Sequence, residues 1–248
     1  MRRVMRAALP NAVSAYLNKR QIAVAKRRQS GNVNIEDDWK SARQTRALQS
    51  VLLILQGMMG SRERCMYCVD SHGSDIDHFR PKTRYPSFAY RRKNMLLCCT
   101  ECGRFKGGQF PLAGRRPLLI DPTAEDPWQH LDFDPDTGVL TARFDLGTNG
   151  WSAKGAKTVE VLRLDRREGM AAGYLKSFRR LTSVLQTSFA ALGAGGKSAE
   201  ELLASLEKAD DHGLLPWCFL GAGRDLAPFR ELRQEYPQAW AHCVSVLT

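Results

Sequence analysis

No apolar run in this 248-residue chain approaches the roughly 20 residues that a membrane-spanning helix needs. The longest, VLLILQGMM at 51–59, has the length of a buried helix. The chain also lacks internal repeats and has no low-complexity tract beyond GAGG at 193–196, which excludes a solenoid. Cysteine is scarce outside one segment: of seven, only Cys218 and Cys243 stand apart from the stretch 65–102. That distribution argues against a disulfide framework and for thiols kept in a reducing cytoplasm. Acidic residues are missing from the first 30 positions, and residues 1–116 hold 8 against 23 lysines and arginines. The net charge of +11 therefore divides into +15 for residues 1–116 and −4 for the remainder. A basic half of this kind is the electrostatic footprint of a phosphate-bearing partner.

The segment that does hold cysteine reads CMYC at 65–68, DIDHFRPK at 75–82, NMLLC at 94–98 and CTECGRFK at 99–106. Cys65/Cys68 and Cys99/Cys102 are two Cys-x-x-C pairs at the spacing of a tetrahedral zinc site closed by four thiolates. Cys99, not Cys98, completes the second pair, because only Cys99–Cys102 has the two-residue gap. Cys98 is then a buried strand thiol. Between the two pairs lies Asp77-His78. An imidazole titrates near neutral pH and can take a proton from an attacking water, and a carboxylate oxygen suits Mg²⁺ or Mn²⁺.

These motifs resemble the core of HNH (ββα-metal) nucleases. The resemblance implies an α+β fold: a zinc-bound ββα-metal core with a helical N-terminal extension and a mixed, mainly helical C-terminal one. It makes His78 the general base, Asp77 a ligand to Mg²⁺ or Mn²⁺, and Asn94 the residue that stabilises the intervening loop. The helical position that carries a second metal ligand in that family falls here on Gly103, which has no side chain; His72 and Glu101 are the nearby substitutes. The basic start, CMYC, DHFRPK, LLCCTEC, QFPL and GRRPLLIDP, in that order, are similar to one HNH subgroup. Its members accompany an ABC-type ATPase in bacterial anti-phage systems such as Septu and some retrons. The likeness covers roughly residues 1–165. It implies a cytoplasmic, metal-dependent endonuclease acting on DNA or a structured RNA such as tRNA, with an ATPase partner. It also favours a basic arm over a transit peptide for residues 1–30.

Arg80, Lys82, Arg91, Arg92 and Lys106 are the expected phosphate contacts. The competing reading is a non-catalytic zinc module that grips nucleic acid or the ATPase. His130, His212 and His242 have no partner motif.

The expected organisation is a basic helical segment at 1–60, the nuclease core at 61–116 and a mainly helical region with a β-hairpin at 117–248. Within it, residues 12–29 read as a helix, and Asn34 caps a second helix over 35–59. Asp75–Phe79 and Met95–Cys98 read as strands around a cationic loop, and Cys99–Lys106 as a helix. Residues 131–145 form a hairpin through a DPDTG turn. Helices follow at Lys157–Leu164, Met170–Leu192, Ala199–Ala209 and Phe229–Tyr236.

Overall fold

The computed structural model describes residues 1–31 and 33–248. The chain divides into two compact units, Arg3–Glu125 and Asp126–Thr248, the latter including Met1 and Arg2. The boundary therefore lies beyond 116, and no boundary falls at 60. Residues 117–125 run back to the start of the first unit, where the Val4 amide donates to Pro122 O at 2.8 Å. Leu119 and Ile120 are buried with it.

In the first unit, helix α1 spans Asn11–Gln29 and ends on Lys26, Arg27 and Arg28, where the helix dipole favours positive charge. Helix α2 spans Ile35–Ala42; the Asn34 side chain accepts from the Glu36 and Asp37 amides and caps it. The apolar stripe over 35–59 does not run as one helix. The chain breaks after Ala42 and restarts as α3, Arg46–Gly57. The Thr45 amide and hydroxyl both bond the Ala42 carbonyl, at 2.9 and 2.7 Å, and this local bonding competes with helical continuation. Leu48, Val51 and Leu55 of α3 are buried, and α3 packs on α1.

Strands β1 (Asp75–His78) and β2 (Met95–Cys98) then pair antiparallel, with Asp77 opposite Leu96 and His78 opposite Met95. Helix α4, Thr100–Lys106, follows directly. Strand, strand, helix is the order read from the sequence, with Cys99 as the N-cap of α4. The short strands β3 (Leu112–Ala113) and β4 (Arg116–Pro117) complete this unit.

The second unit is mainly helical. Strands β5 (Leu131–Phe133) and β6 (Leu140–Ala142) form the expected hairpin, and β7 (Phe144–Asp145) with β8 (Gly150–Trp151) forms a second. Helices α5 (Ala153–Leu162), α6 (Glu168–Gly193), α7 (Ala199–Ala209), α8 (Leu215–Leu220), α9 (Phe229–Glu235) and α10 (Pro237–Leu247) follow. Helix α6 packs against α7 and α9, and α10 against α7, α8 and α9. A capping box fixes the start of α7: Ser198 and Glu201 bond each other's amides. Among the described residues, no helix is long and apolar enough to cross a membrane.

Candidate active site and metal centre

Four thiols converge where β1, β2 and α4 meet. Cys65, Cys68, Cys99 and Cys102 are all buried, and their Sγ atoms lie within 4.8 Å of one another. A tetrahedral Zn²⁺ with Zn–S bonds of 2.3 Å sets sulfur–sulfur edges at about 3.8 Å, and Cys68 Sγ lies 3.9 Å from Cys99 Sγ. Backbone amides turn toward a sulfur in each pair: Tyr67 N donates to Cys65 Sγ and Cys102 N to Cys99 Sγ, both at 3.4 Å. Hydrogen bonds from Cys102 and Cys65 draw the Cys68 thiol well below its ordinary value and Cys99 to about 7. The residues fit a zinc ion, and this cluster could hold one. Cys98 is buried and stands outside the set, as its strand position implied.

His78 is buried at the end of β1, in edge-to-face contact with Trp39 of α2, ring centroids 4.3 Å apart. Its Nε2 lies 2.9 Å from Ala89 O. A carbonyl only accepts, so Nε2 carries the proton and Nδ1 keeps the lone pair. Burial pulls the imidazole down to about 4, although the Asp77 charge pulls the other way. The ring is therefore neutral near pH 7.

Asp77 precedes it on the strand. The Tyr67 hydroxyl donates 2.6 Å to Asp77 Oδ2. Burial, then the Asp77 charge, hold that hydroxyl in its protonated form. Lys106 Nζ lies 3.0 Å from Asp77 Oδ2 and 3.2 Å from Oδ1, and donates to His78 O at 2.7 Å. Lys106 is 0% exposed. This corrects the expectation of a phosphate contact: the last turn of α4 aims the ammonium inward, at the strand. Lysine is almost never buried unless paired, and here it braces both site residues.

Asn94 is buried and clasps the loop 79–94. Its Oδ1 accepts from Arg80 N at 2.7 Å, and its Nδ2 donates to Arg80 O at 3.0 Å and Phe88 O at 3.1 Å. All three bonds go to the loop backbone, a bracing arrangement. Gly103 lies on α4, and a Cβ there would touch Cys98 Sγ at 3.4 Å. The His72 side chain, one of the expected substitutes, is 59% exposed and lies 3.9 Å from Glu63.

A cavity of about 470 Å³ opens beside the pair, lined by Trp39 and Lys40 of α2, by Arg43 at its C-terminal cap, and by Asp77, His78 and Lys82. Lys82 is bonded to Glu36 at 3.0 Å. Arg80 and Arg91 lie over the Phe88 ring, 5.0 and 4.7 Å from its centroid. Arg92 is half-buried. Trp39, Tyr67 and Lys106 are the parts of the site that motif reading did not single out in these roles. Tyr67 sits inside CMYC and Trp39 at the start of an apolar stripe, so the residues were visible but their partners were not.

No family model matches the chain. It is 32% identical over 152 aligned residues to Septu protein PtuB of Bacillus mycoides (strain KBAB4), covering 48% of each chain. It is 28% identical over 111 residues to Septu protein PtuB of Bacillus thuringiensis, covering 43% of this chain and 38% of that one. It also matches Septu protein PtuA of Bacillus mycoides, 33% identical over 87 residues, which is 29% of this chain and 11% of that one. The chain thus spans half or less of the length of the relatives it matches. It is related to Septu proteins.

Proposed function

We propose that the unit Arg3–Glu125 is an HNH (ββα-metal) endonuclease that hydrolyses phosphodiester bonds of DNA or a structured RNA such as tRNA, and that it serves anti-phage defence in the cytoplasm. The observation that carries this reading is a neutral His78, with Nδ1 unprotonated, next to Asp77 on a strand–strand–helix unit tied by four cysteines. His78 takes the proton of the water that attacks phosphorus. Asp77, Lys106 and Tyr67 fix the strand end from which it acts. A zinc ion held by Cys65, Cys68, Cys99 and Cys102 would tie CMYC to α4 and supply rigidity, which matters because a displacement of about 1 Å can cost about 100-fold in rate.

Mg²⁺ or Mn²⁺ at Asp77 belongs to the resemblance, but the residues as arranged do not fit it. Lys106 and Tyr67 already occupy the carboxylate, Gly103 offers no donor, and such ions take about six oxygen ligands. An ion would have to displace Lys106. The same closure favours the second reading, a non-catalytic zinc module that binds nucleic acid or a partner. The matches to Septu proteins PtuB and PtuA support a Septu protein as that partner, an ABC-type ATPase by the resemblance, and the net-negative residues 117–248 would not compete with it for polyanion.

The test is His78→Ala protein incubated with plasmid and total tRNA, with and without Mg²⁺ or Mn²⁺. The variant is expected to fold, keep zinc and bind, and to cleave about 100- to 10,000-fold more slowly. Binding without cleavage by the unmodified protein under every ion condition would establish the non-catalytic module instead.

A further inference from the structure

A second cavity, of about 490 Å³, lies in the first unit between α1 and the loop 79–94, and it shares no lining residue with the cavity beside His78. Its size falls in the range of small-molecule sites, about 300–1,000 Å³. Two kinds of group face it. Arg80, Arg91, Arg92 and Lys93 bring four positive charges. The one acid in the lining, Asp121, has Oδ1 taken by the Thr123 amide and hydroxyl at 2.9 and 2.6 Å. The rest of the wall is mainly apolar and aromatic, from Leu17, Phe79, Phe88 and Tyr90.

The cationic rim is built in advance. Arg6 fixes the backbone beneath it, donating to Arg92 O at 3.0 Å, Lys93 O at 2.9 Å and Met95 O at 3.1 Å. Asn94 holds Arg80 by both its backbone groups. Arg80 and Arg91 are seated over the Phe88 ring. Arg92 supplies the most pointed observation: its Nη2 is buried and has no hydrogen-bond partner. A buried guanidinium N–H without an acceptor is costly, and a small turn of the half-buried Arg92 side chain would bring that N–H to a phosphate oxygen at the rim in the fork geometry that arginine favours. A bare phosphate would leave the apolar wall unused. A flat ring carried on a phosphate uses both. The Asn18 amide on α1, also in the lining, offers a donor and an acceptor to a ring edge.

We propose that this cavity binds one nucleotide unit, its phosphate on Arg91 and Arg92 and its base against the wall formed by Leu17, Phe79 and Tyr90. The nucleotide comes either from a nucleic-acid strand or from the free pool. The first source rests on the nuclease reading; the pocket itself does not.

Calorimetric titration of the unmodified protein with dAMP, AMP, inorganic phosphate and a short single-stranded oligonucleotide tests this directly, without recourse to cleavage. Nucleotide or oligonucleotide should bind at least about tenfold more tightly than phosphate. Arg92→Gln should weaken that binding about tenfold or more, the worth of a charge-assisted hydrogen bond. Asn18→Trp, at an exposed helical position that need not disturb folding, should block it by filling the mouth. Saturable binding of dAMP or AMP alone, competed by the oligonucleotide, assigns the pocket to a free nucleotide as well as a strand; binding of the oligonucleotide only assigns it to a strand. Equal affinity for phosphate and nucleotide, or unchanged binding in both variants, would overturn the proposal. If nucleotide binds while no nucleic acid is ever cleaved, the nuclease reading fails and the pocket stands.

Discussion

The units Arg3–Glu125 and Asp126–Thr248 bury different chemistry. The interior of the second is an aromatic cluster: Phe133 and Trp217 meet edge-on at 5.1 Å, and Phe178 stacks on Phe229 at 6.2 Å. Leu181, Leu185, Leu202 and Leu206 fill the helix contacts around it. Apolar area removed from water holds such a core together. The first unit buries Asp38, His78, Asn94 and Lys106 beside four thiols. Each buried charge has its counterpart: Lys106 has Asp77, and Asp38 has Arg20, Arg27 and the Tyr90 hydroxyl. A paired buried charge adds little net stability, yet removing one partner is severe. The first unit therefore rests on its paired charges and its four-thiol cluster; the second also buries Arg167, Ser177, Ser188 and His212 but, among the described residues, has no such cluster.

Stripping zinc should separate the two most sharply. Cys102→Ser, or treatment with a strong chelator, should release the ion and unfold the β1–β2–α4 region, since structural zinc contributes on the order of 10 kcal/mol to folding. Hydrogen exchange should then rise across 61–125 and stay low in α6 and α7. A zinc-free protein with unchanged exchange in both units would break the contrast.

Lys106→Met keeps the buried stem and removes the charge. We expect a loss of about 3 kcal/mol in urea unfolding of the first unit. Asp77→Asn in the same chain should recover part of it, as a double-mutant cycle for a direct pair requires. Additive losses would mean that the two side chains do not act on each other.

Asp38 gives a pH test. Burial alone would raise its carboxyl, but the Tyr90 hydroxyl, Arg27 and Arg20 outweigh that and hold it below its ordinary value. Its contribution is thus present above the unfolded carboxylate value, about pH 4, and is lost as pH falls through and below it. Asp38→Asn should cost about 2 kcal/mol at pH 7 and less at pH 3. A constant difference across that interval would show that the carboxylate charge is not what matters.

The smallest effect belongs to Gly103. Alanine there meets Cys98 Sγ at a permissible 3.4 Å and should stabilise α4 by about 0.5–1 kcal/mol. Gly103→Asn should give a few tenths of a kcal/mol and restore an oxygen on the helix. If an ion is used at Asp77, this variant should lower the Mg²⁺ or Mn²⁺ concentration needed for cleavage. No change in ion dependence would leave the Asp77 carboxylate to Lys106 and Tyr67.

What the sequence disclosed of this fold was its short-range part. Two Cys-x-x-C pairs, an alternating DIDH, the apolar MLLC and an Asn cap declare themselves over a few residues, and each lies where the pattern put it. The inward turn of Lys106 was illegible, because a lysine in a basic run looks solvated until the strand beneath it is in place. The break at Thr45 was hidden by an apolar period that continues across it. Helices α8 and α10 went unread because both are short or carry proline in their first turn, Pro216 and Pro237, which breaks an interior helix but suits a start. The unit boundary near 125 was illegible because residues 117–125 join the first unit through contacts distant in sequence, among them the Val4 amide on Pro122 O.

Helix α4 has seven residues, too few to persist unaided in water. Cys99 is its N-cap, its first turn carries Cys102, and its last residue is Lys106. Whatever grips one end therefore governs the other. During synthesis, CMYC leaves the ribosome well before CTEC, so for a time the early pair has no mate and Asp77 no ammonium. Order at the Asp77 end of the strand therefore waits until the second Cys-x-x-C pair and α4 are in place.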